Sequence, residues 1–334
     1  MNKTDIIIVG AGPVGLFTVF EAGLLKLHCH LIDSLPLPGG QLTEIYPKKP
    51  IYDIPGYPSV LAGELVDNLM KQIEPFKPEF TLGERAEKIE QVEDKLFKLT
   101  TSKGTEIFAP VIAIAGGLGC FEPRKPPIAN IEHFEDRGVD YIIKDPQKYQ
   151  GKKVLVAGGG DSALDWTIIL ADIAEEVTLL HRRTSFRGAL DSVEKVHELA
   201  TSGRINLITN AQAIGLNGNG VLNEVVVEEE GKENYAVPVD HFVPLFGLAP
   251  KLGPIGEWNL EIEDNAIKVN TFDYSTNIPG IYAIGDINTY PGKLKLILCG
   301  FHEGTMMVQS AFRYIHPDQK LSFKYTTVAG VNGF

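Results

Sequence analysis

Two glycine loops are the residues best suited to chemistry. Gly10-Ala11-Gly12-Pro13-Val14-Gly15 and Gly158-Gly159-Gly160-Asp161-Ser162-Ala163 each follow a short aliphatic run and precede an apolar stretch of helical length. Strand, glycine turn and helix in that order bring backbone N–H groups and a helix N-terminus onto a diphosphate. One such loop is weakly diagnostic. It gains weight when the residue ending the next strand suits a nucleotide ribose.

Those end residues differ between the two units. Asp33 lies 18 positions after Gly15, and His181 lies 18 after Ala163, followed by Arg182 and Arg183. A carboxylate there accepts hydrogen bonds from a free ribose diol and repels a 2′-phosphate. Arginines pair with that phosphate, often through two parallel bonds. FAD and NAD carry the free diol; NADP carries the phosphate. The first loop therefore suits FAD and the second NADPH, with Arg187 close enough in sequence to join the phosphate cluster.

The elements that must hold these loops are readable from the pattern. Ile6 to Val9 predicts a buried strand, Leu16 to Leu25 a helix, and His28 to Ile32 the next strand. A loop rich in Pro, Gly and Tyr runs from Ser34 to Ser59; so long a loop is expected to be functional. Gly63 to Phe76 reads as helix, Ala86 to Phe108 as short strands, and Val111 to Ala115 as a buried strand. The unit then restarts about 148 residues after the first loop: strand Lys153 to Ala157, helix Leu164 to Ile173, strand Glu176 to Leu180. A helix near Ala189 to Ala200, short strands to about Phe246, and a last helix near Gly304 to Tyr314 complete the chain. The expectation is an α/β protein with two Rossmann-like dinucleotide-binding domains. Gly116 to Gly119 and Gly247 to Pro250 are the expected crossings. They give residues 1–117 as the first part of an FAD-binding domain, 118–248 as an inserted NADPH-binding domain, and 249–334 as the second FAD part with a C-terminal extension.

Bulk properties narrow the class. The 334 residues suit two domains, and 44% hydrophobic with 22% charged residues is ordinary for a globular chain. A formal net charge of −12 argues against a nucleic-acid partner. No apolar run approaches the roughly 18 residues of a membrane span. No secretory signal is legible, and the expected location is the cytoplasm. Cys29, Cys120 and Cys299 are far apart, with no C-x-x-C and no zinc-like spacing. No nucleophile, acid–base pair or metal cluster is legible, and the eight histidines are scattered.

Gly10 to Gly15, Gly158 to Ala163, His181-Arg182-Arg183 with Phe186-Arg187, and Ile281 to Asp286 together resemble the low-molecular-weight thioredoxin reductases. The resemblance covers nearly the whole chain. It implies a three-layer ββα architecture in each domain, a split FAD domain around an inserted NADPH domain, a rotation of that domain during turnover, and a homodimer. One departure decides the activity. Thioredoxin reductases carry a redox C-x-x-C shortly before the second glycine loop. Here that stretch is Arg137-Gly138-Val139-Asp140-Tyr141-Ile142-Ile143-Lys144-Asp145, without cysteine.

A narrower resemblance fits that departure. Ile32 to Pro36, Gly39 to Leu42, Tyr46-Pro47, Tyr52 to Gly56 and Tyr325-Thr326-Thr327 are similar to the thioredoxin-reductase-type ferredoxin–NADP reductases. By that resemblance, Gly12, Pro13, Val14 and Gly15 hold the FAD pyrophosphate and Asp33 the adenosine ribose. Ala86 meets the adenine, and Gln41 and Tyr46 the flavin end. Phe121 lines the site, Asp286 binds the ribityl or pyrophosphate region, and Thr327 the isoalloxazine edge. Tyr46 and Tyr325 are the candidates for stacking on the two flavin faces. Gly158, Gly160, Asp161, Ser162 and Ala163 serve the NADPH loop. The implied activity is hydride transfer between NADPH and FAD, coupled to one-electron transfer with ferredoxin; flavodoxin is a second candidate partner. An NADPH-dependent reductase of quinones or other small acceptors shares every cofactor motif. Lys48-Lys49 and Arg124-Lys125 are basic candidates for the docking patch.

Overall fold

The computed structural model describes residues 2–119, 122–249, 251–321, 326 and 330. The chain divides into two units, Met1–Cys120 with Pro250–Phe334, and Phe121–Ala249. The changes of unit fall three residues after the expected domain end at 117 and one residue after that at 248.

The first unit begins with the expected strand Ile6–Val9, all four residues buried. Its side chains alternate between two cores. Ile6 and Ile8 belong to one apolar cluster, Ile7 and Val9 to another. This is the period-two division of a strand covered on both faces. Helix α1 (Pro13–Leu24) starts three residues before the expected Leu16. The glycine turn runs directly into it because Pro13, at the first helical position, is preset to the helical φ. The strand Cys29–Asp33 follows. The Pro-, Gly- and Tyr-rich loop is not structureless: it holds a short helix, α2 (Gln41–Glu44), and the strand Pro50–Ile51. Helix α3 (Ala62–Ile73) places Ala62, Leu65, Val66, Leu69 and Ile73 on its buried stripe. Strands Ala86–Glu93, Leu96–Thr101 and Glu106–Ala109 form an antiparallel sheet.

The second unit repeats the plan. Strands Asn206–Thr209, Glu176–His181, Lys153–Ala157 and His241–Pro244 lie in that order in a parallel sheet. Helix α4 (Asp161–Ala171) again starts three residues before the expected Leu164, and α5 (Leu190–Thr201) lies within one residue of its expected span. Ala211–Gly218, Leu222–Glu229 and Tyr235–Pro238 form an antiparallel sheet. Val225, Val227 and Ala211 from it pack with Leu155, Ala157 and Leu180 from the parallel one.

The chain then returns to the first unit. Ile281–Ala283 becomes the edge strand of a five-stranded parallel sheet, beside Val111–Ile114, Ile6–Val9, Cys29–Asp33 and Glu79–Leu82. Helix α6 (Ile297–Ile315) begins seven residues before the expected Gly304. It runs through Gly300 and Gly304 because small residues are needed there: a Cβ at Gly300 would overlap Val14 of α1. Helices and the antiparallel sheet thus cover opposite faces of the parallel sheet. Each buried aliphatic side chain contributes about 1.5–3 kcal/mol. No helix among the described residues is long and apolar enough to cross a membrane.

Candidate functional site

Asp33 ends its strand and turns its carboxylate back over the first glycine loop. Oδ2 accepts the Ala11 N–H at 2.7 Å and Oδ1 the Leu35 N–H at 2.9 Å. Both partners are neutral. Burial pushes the Asp33 carboxyl up against the pull of these backbone donors. A hydroxyl donor would ease that burial, and a second anion would aggravate it. The Glu84 N–H bonds the Asp33 carbonyl at 3.1 Å. This brings the turn before Ala86 beside Asp33, with Ala86 buried at the head of its strand.

The loop itself is tight below and open above. Gly10 adopts a φ of 113°, and a Cβ at Gly15 would collide with the Gly10 carbonyl oxygen. A Cβ at Gly12 would meet nothing within 4 Å. Gly12 is also the N-cap of α1, which has no side-chain cap. An outside acceptor is the natural partner for the first-turn N–H groups, including those of Val14 and Gly15. The missing side chain at Gly12 is therefore a cradle into which a phosphate fits.

The long loop folds onto this cradle. The Gly39 N–H bonds the Ala11 carbonyl at 2.8 Å. A Cβ at Gly40 would stand 3.2 Å from Gly12 Cα, and one at Gly117 3.5 Å from Gln41 Nε2. Tyr46 follows, half-buried. Its hydroxyl is pushed up to about 12, first by burial and then by the charges of Asp286 and Asp53. Lys49 Nζ lies 5.8 Å from the Tyr46 ring centroid. Burial pushes the Asp286 carboxyl up, Lys293 and Lys295 draw it down, and Glu303 pushes it up again. Residues from four separate stretches, Gly12, Gln41 with Tyr46, Gly117 and Asp286, therefore meet within the first unit.

The second loop has the same open cradle, since a Cβ at Gly160, the N-cap of α4, would meet nothing within 4 Å. Its flank is stapled down. The Arg187 N–H bonds the Gly159 carbonyl at 2.8 Å, and Asp161 Oδ1 accepts the Ala189 N–H at 2.7 Å. Gly158 lies on the strand side of the turn, Ser162 is exposed and Ala163 is buried. Arg182, Arg183 and Arg187 are all exposed. His181 differs from the expectation that groups it with them. Its ring is buried under Gly159, where a Cβ would fall on the imidazole. Nε2 lies 3.1 Å from the Ser185 carbonyl oxygen. Burial, then the three arginine charges, outweigh the Ser185 hydrogen bond and hold its pKa below the usual value. Three cations face solvent, and a neutral imidazole supports the segment that carries them.

A family model described as pyridine nucleotide-disulphide oxidoreductase matches residues 4–313. The chain belongs to this family. The protein named ferredoxin–NADP reductase 2 of Christiangramia forsetii is 68% identical to this oxidoreductase over 338 residues, spanning 100% of this chain and 95% of that protein. The ferredoxin–NADP reductase of Flavobacterium johnsoniae is 66% identical over 335 residues, with 100% and 95% covered. Among solved structures, the thioredoxin reductase of Lactococcus lactis matches with a TM-score of 0.80 and 25% identity, covering 93% of this chain and 99% of that one. The thioredoxin reductase of T. acidophilum matches with a TM-score of 0.81 and 20% identity, over 93% and 98%. The oxidoreductase has the thioredoxin-reductase fold.

In this oxidoreductase, the cysteine-free stretch 137–145 contributes Asp140 to an ionic network. Asp140 accepts from Lys148 Nζ at 2.7 Å and Tyr149 OH at 3.1 Å, with His241 Nδ1 at 3.1 Å. Cys29 and Cys299 are unbridged. Lys125 pairs with Glu135 at 2.5 Å. Phe121, Tyr325 and Thr327 lie outside the described residues. The sequence reading missed Lys293 and Glu303, a buried ion pair beside Asp286. A signal was present: Gly300, Glu303, Gly304 and Met307 form the buried stripe of α6, and a carboxylate on such a stripe needs a partner.

Proposed function

We propose that the chain is an FAD-dependent ferredoxin–NADP reductase. The carrying observation is identity of 63–68% over the full chain with relatives of that name. The glycine loops support it. Asp33, with neutral donors, suits the FAD diol, and exposed Arg182, Arg183 and Arg187 suit the NADPH 2′-phosphate. The cysteine-free stretch 137–145 removes the dithiol route and leaves the flavin as the point where electrons exit.

When bound, FAD supplies the conversion between hydride and single-electron transfer. The chain's residues bind and orient. In this reading Gly10 to Gly15 and the α1 N-terminus hold the FAD pyrophosphate, and Ala86 flanks the adenine. Gln41, Tyr46 and Asp286 hold the ribityl and flavin end. With its hydroxyl pushed up to about 12, Tyr46 stays protonated near neutral pH and offers a neutral ring. Gly158 to Ala163 hold the NADPH pyrophosphate. We assign residues 1–117 and 249–334 to the FAD domain and 118–248 to the NADPH domain. Resemblance to the thioredoxin-reductase type supports a homodimer, with Phe121, Tyr325 and Thr327 completing the flavin site. We assign a cytoplasmic location and ferredoxin as the partner, with flavodoxin as its alternate. The test is a comparison of NADPH-driven rates with ferredoxin, flavodoxin and a quinone. Ferredoxin and flavodoxin rates well above the quinone rate are expected; a quinone preference would make the chain a small-acceptor reductase instead.

A further inference from the structure

The turn that presents Asp286 is held in an unusual way. Gly285 opens it with a φ of 77°. The Gly285 N–H donates to Glu303 Oε2 at 2.6 Å, and the Gly285 carbonyl accepts from Lys293 Nζ at 2.9 Å. Lys293 Nζ and Glu303 Oε1 also pair with each other at 2.5 Å. One ion pair therefore grips both polar groups of one residue. Asn288 Nδ2 and the Tyr290 hydroxyl each donate to Glu303 at 2.8 Å, which fills its acceptor sites. The Glu303 side chain is 0% exposed and that of Lys293 is 6% exposed.

A need for stability does not account for this pair. An apolar pair of similar volume is often as stable as a buried ion pair, because both charges lose their hydration. Apolar side chains here would leave the Gly285 N–H and C=O without their partners. The gripped residue also lies beside the first glycine loop, since a Cβ at Gly285 would stand 3.4 Å from the Val14 side chain. The pair lies where α6, the Asp286 turn and the N-terminus of α1 converge.

We propose that Lys293 and Glu303 are positioning residues of the FAD site, fixing the Gly285–Asp286 turn against the first glycine loop. The proposal rests on reading the first unit as FAD-binding. Its effect passes through the turn: the pair holds the Gly285 peptide groups, and Asp286 is thereby set at one depth above Val14.

The test uses the full chain, stripped of FAD and reconstituted, with variants Glu303→Gln, Lys293→Met and the double variant K293M/E303L. Three quantities are read: FAD affinity from flavin fluorescence, the visible spectrum of bound FAD, and the melting temperature without FAD. Glu303→Gln keeps the volume but turns one acceptor oxygen into an NH2 donor and leaves Lys293 without its counter-charge, so its FAD dissociation constant should rise roughly tenfold or more with an altered spectrum. Lys293→Met leaves a buried charge unpaired and should lose both stability and affinity. The double variant removes the unpaired charge but leaves the Gly285 N–H and C=O without these partners, so it should regain only part of the melting temperature lost in Lys293→Met and none of the affinity or spectrum. Affinity that recovers together with stability in the double variant would overturn the proposal, as would a Glu303→Gln protein with unchanged affinity and spectrum. Failure of the unaltered protein to take up FAD would overturn the function itself and would be seen before any variant is compared.

Discussion

The His181 imidazole stacks on the Phe186 ring with centroids 4.9 Å apart and planes 21° apart. With the Ser185 contact, this fixes the backbone between Arg182, Arg183 and Arg187. The arginines then meet a 2′-phosphate with less conformational freedom left to lose. Replacing Arg182 and Arg183 by Gln removes charged contacts of about 1.5–3 kcal/mol each, so the KM for NADPH should rise at least tenfold while that for NADH moves far less. His181→Ala keeps all three arginines and should still raise the NADPH KM several-fold. An unchanged NADPH KM in His181→Ala would show that the segment needs no support.

The glycines of the first loop make separable demands. A Cβ at Gly15 collides with backbone inside the protein, whereas one at Gly12 enters open space. Gly15→Ala should therefore destabilise the chain even without cofactor, by about 1–3 kcal/mol as an overpacked site. Gly12→Ala should melt like the parent without cofactor and bind FAD poorly. Melting curves and FAD titrations of both variants check this. A Gly12→Ala protein with parental FAD affinity would mean that no phosphate approaches there.

Stability of the second unit should depend on acid through Asp140. Burial pushes its carboxyl up, but hydrogen bonds from His241 and Lys148, and their charges, outweigh this and hold it below the usual value. A depressed carboxylate contributes its stability fully above the unfolded pKa of about 3.9 and loses it as pH falls through the folded value. Asp140→Asn should cost about 1–3 kcal/mol near neutral pH. Its melting temperature should also fall less steeply than the parent's as pH drops from about 5 to about 3. Parallel curves for parent and variant would place the acid-sensitive group elsewhere.

Local pattern carried much of this architecture. Ile6–Val9 and Lys153–Ala157 are legible because a buried strand needs an aliphatic run, unbroken in the first and running from Val154 in the second. Asp33 and the Arg182–Arg183 pair are legible because strand ends sit at a fixed spacing from the glycine loops. The early starts of α1 and α4 escaped, since Pro13 and Gly15 in the one and Asp161 and Ser162 in the other read as turn although they stand in the first helical turn. His181 was legible by position but not by role; only packing shows that its ring lies under Gly159. The Asp140–His241 contact spans 101 positions, and Lys293–Glu303 depends on α6 docking beside the 285–287 turn. Such pairs arise from tertiary structure and leave no local spacing to read.

The most direct measurement is anaerobic stopped-flow mixing of the FAD-loaded protein with NADPH, then with oxidised ferredoxin. Expected are bleaching of the flavin band by NADPH, much slower bleaching by NADH, and return of the band as two ferredoxins are reduced for each NADPH consumed. A flavin band that NADPH does not bleach, or a reduced flavin that ferredoxin does not reoxidise, would contradict the assignment.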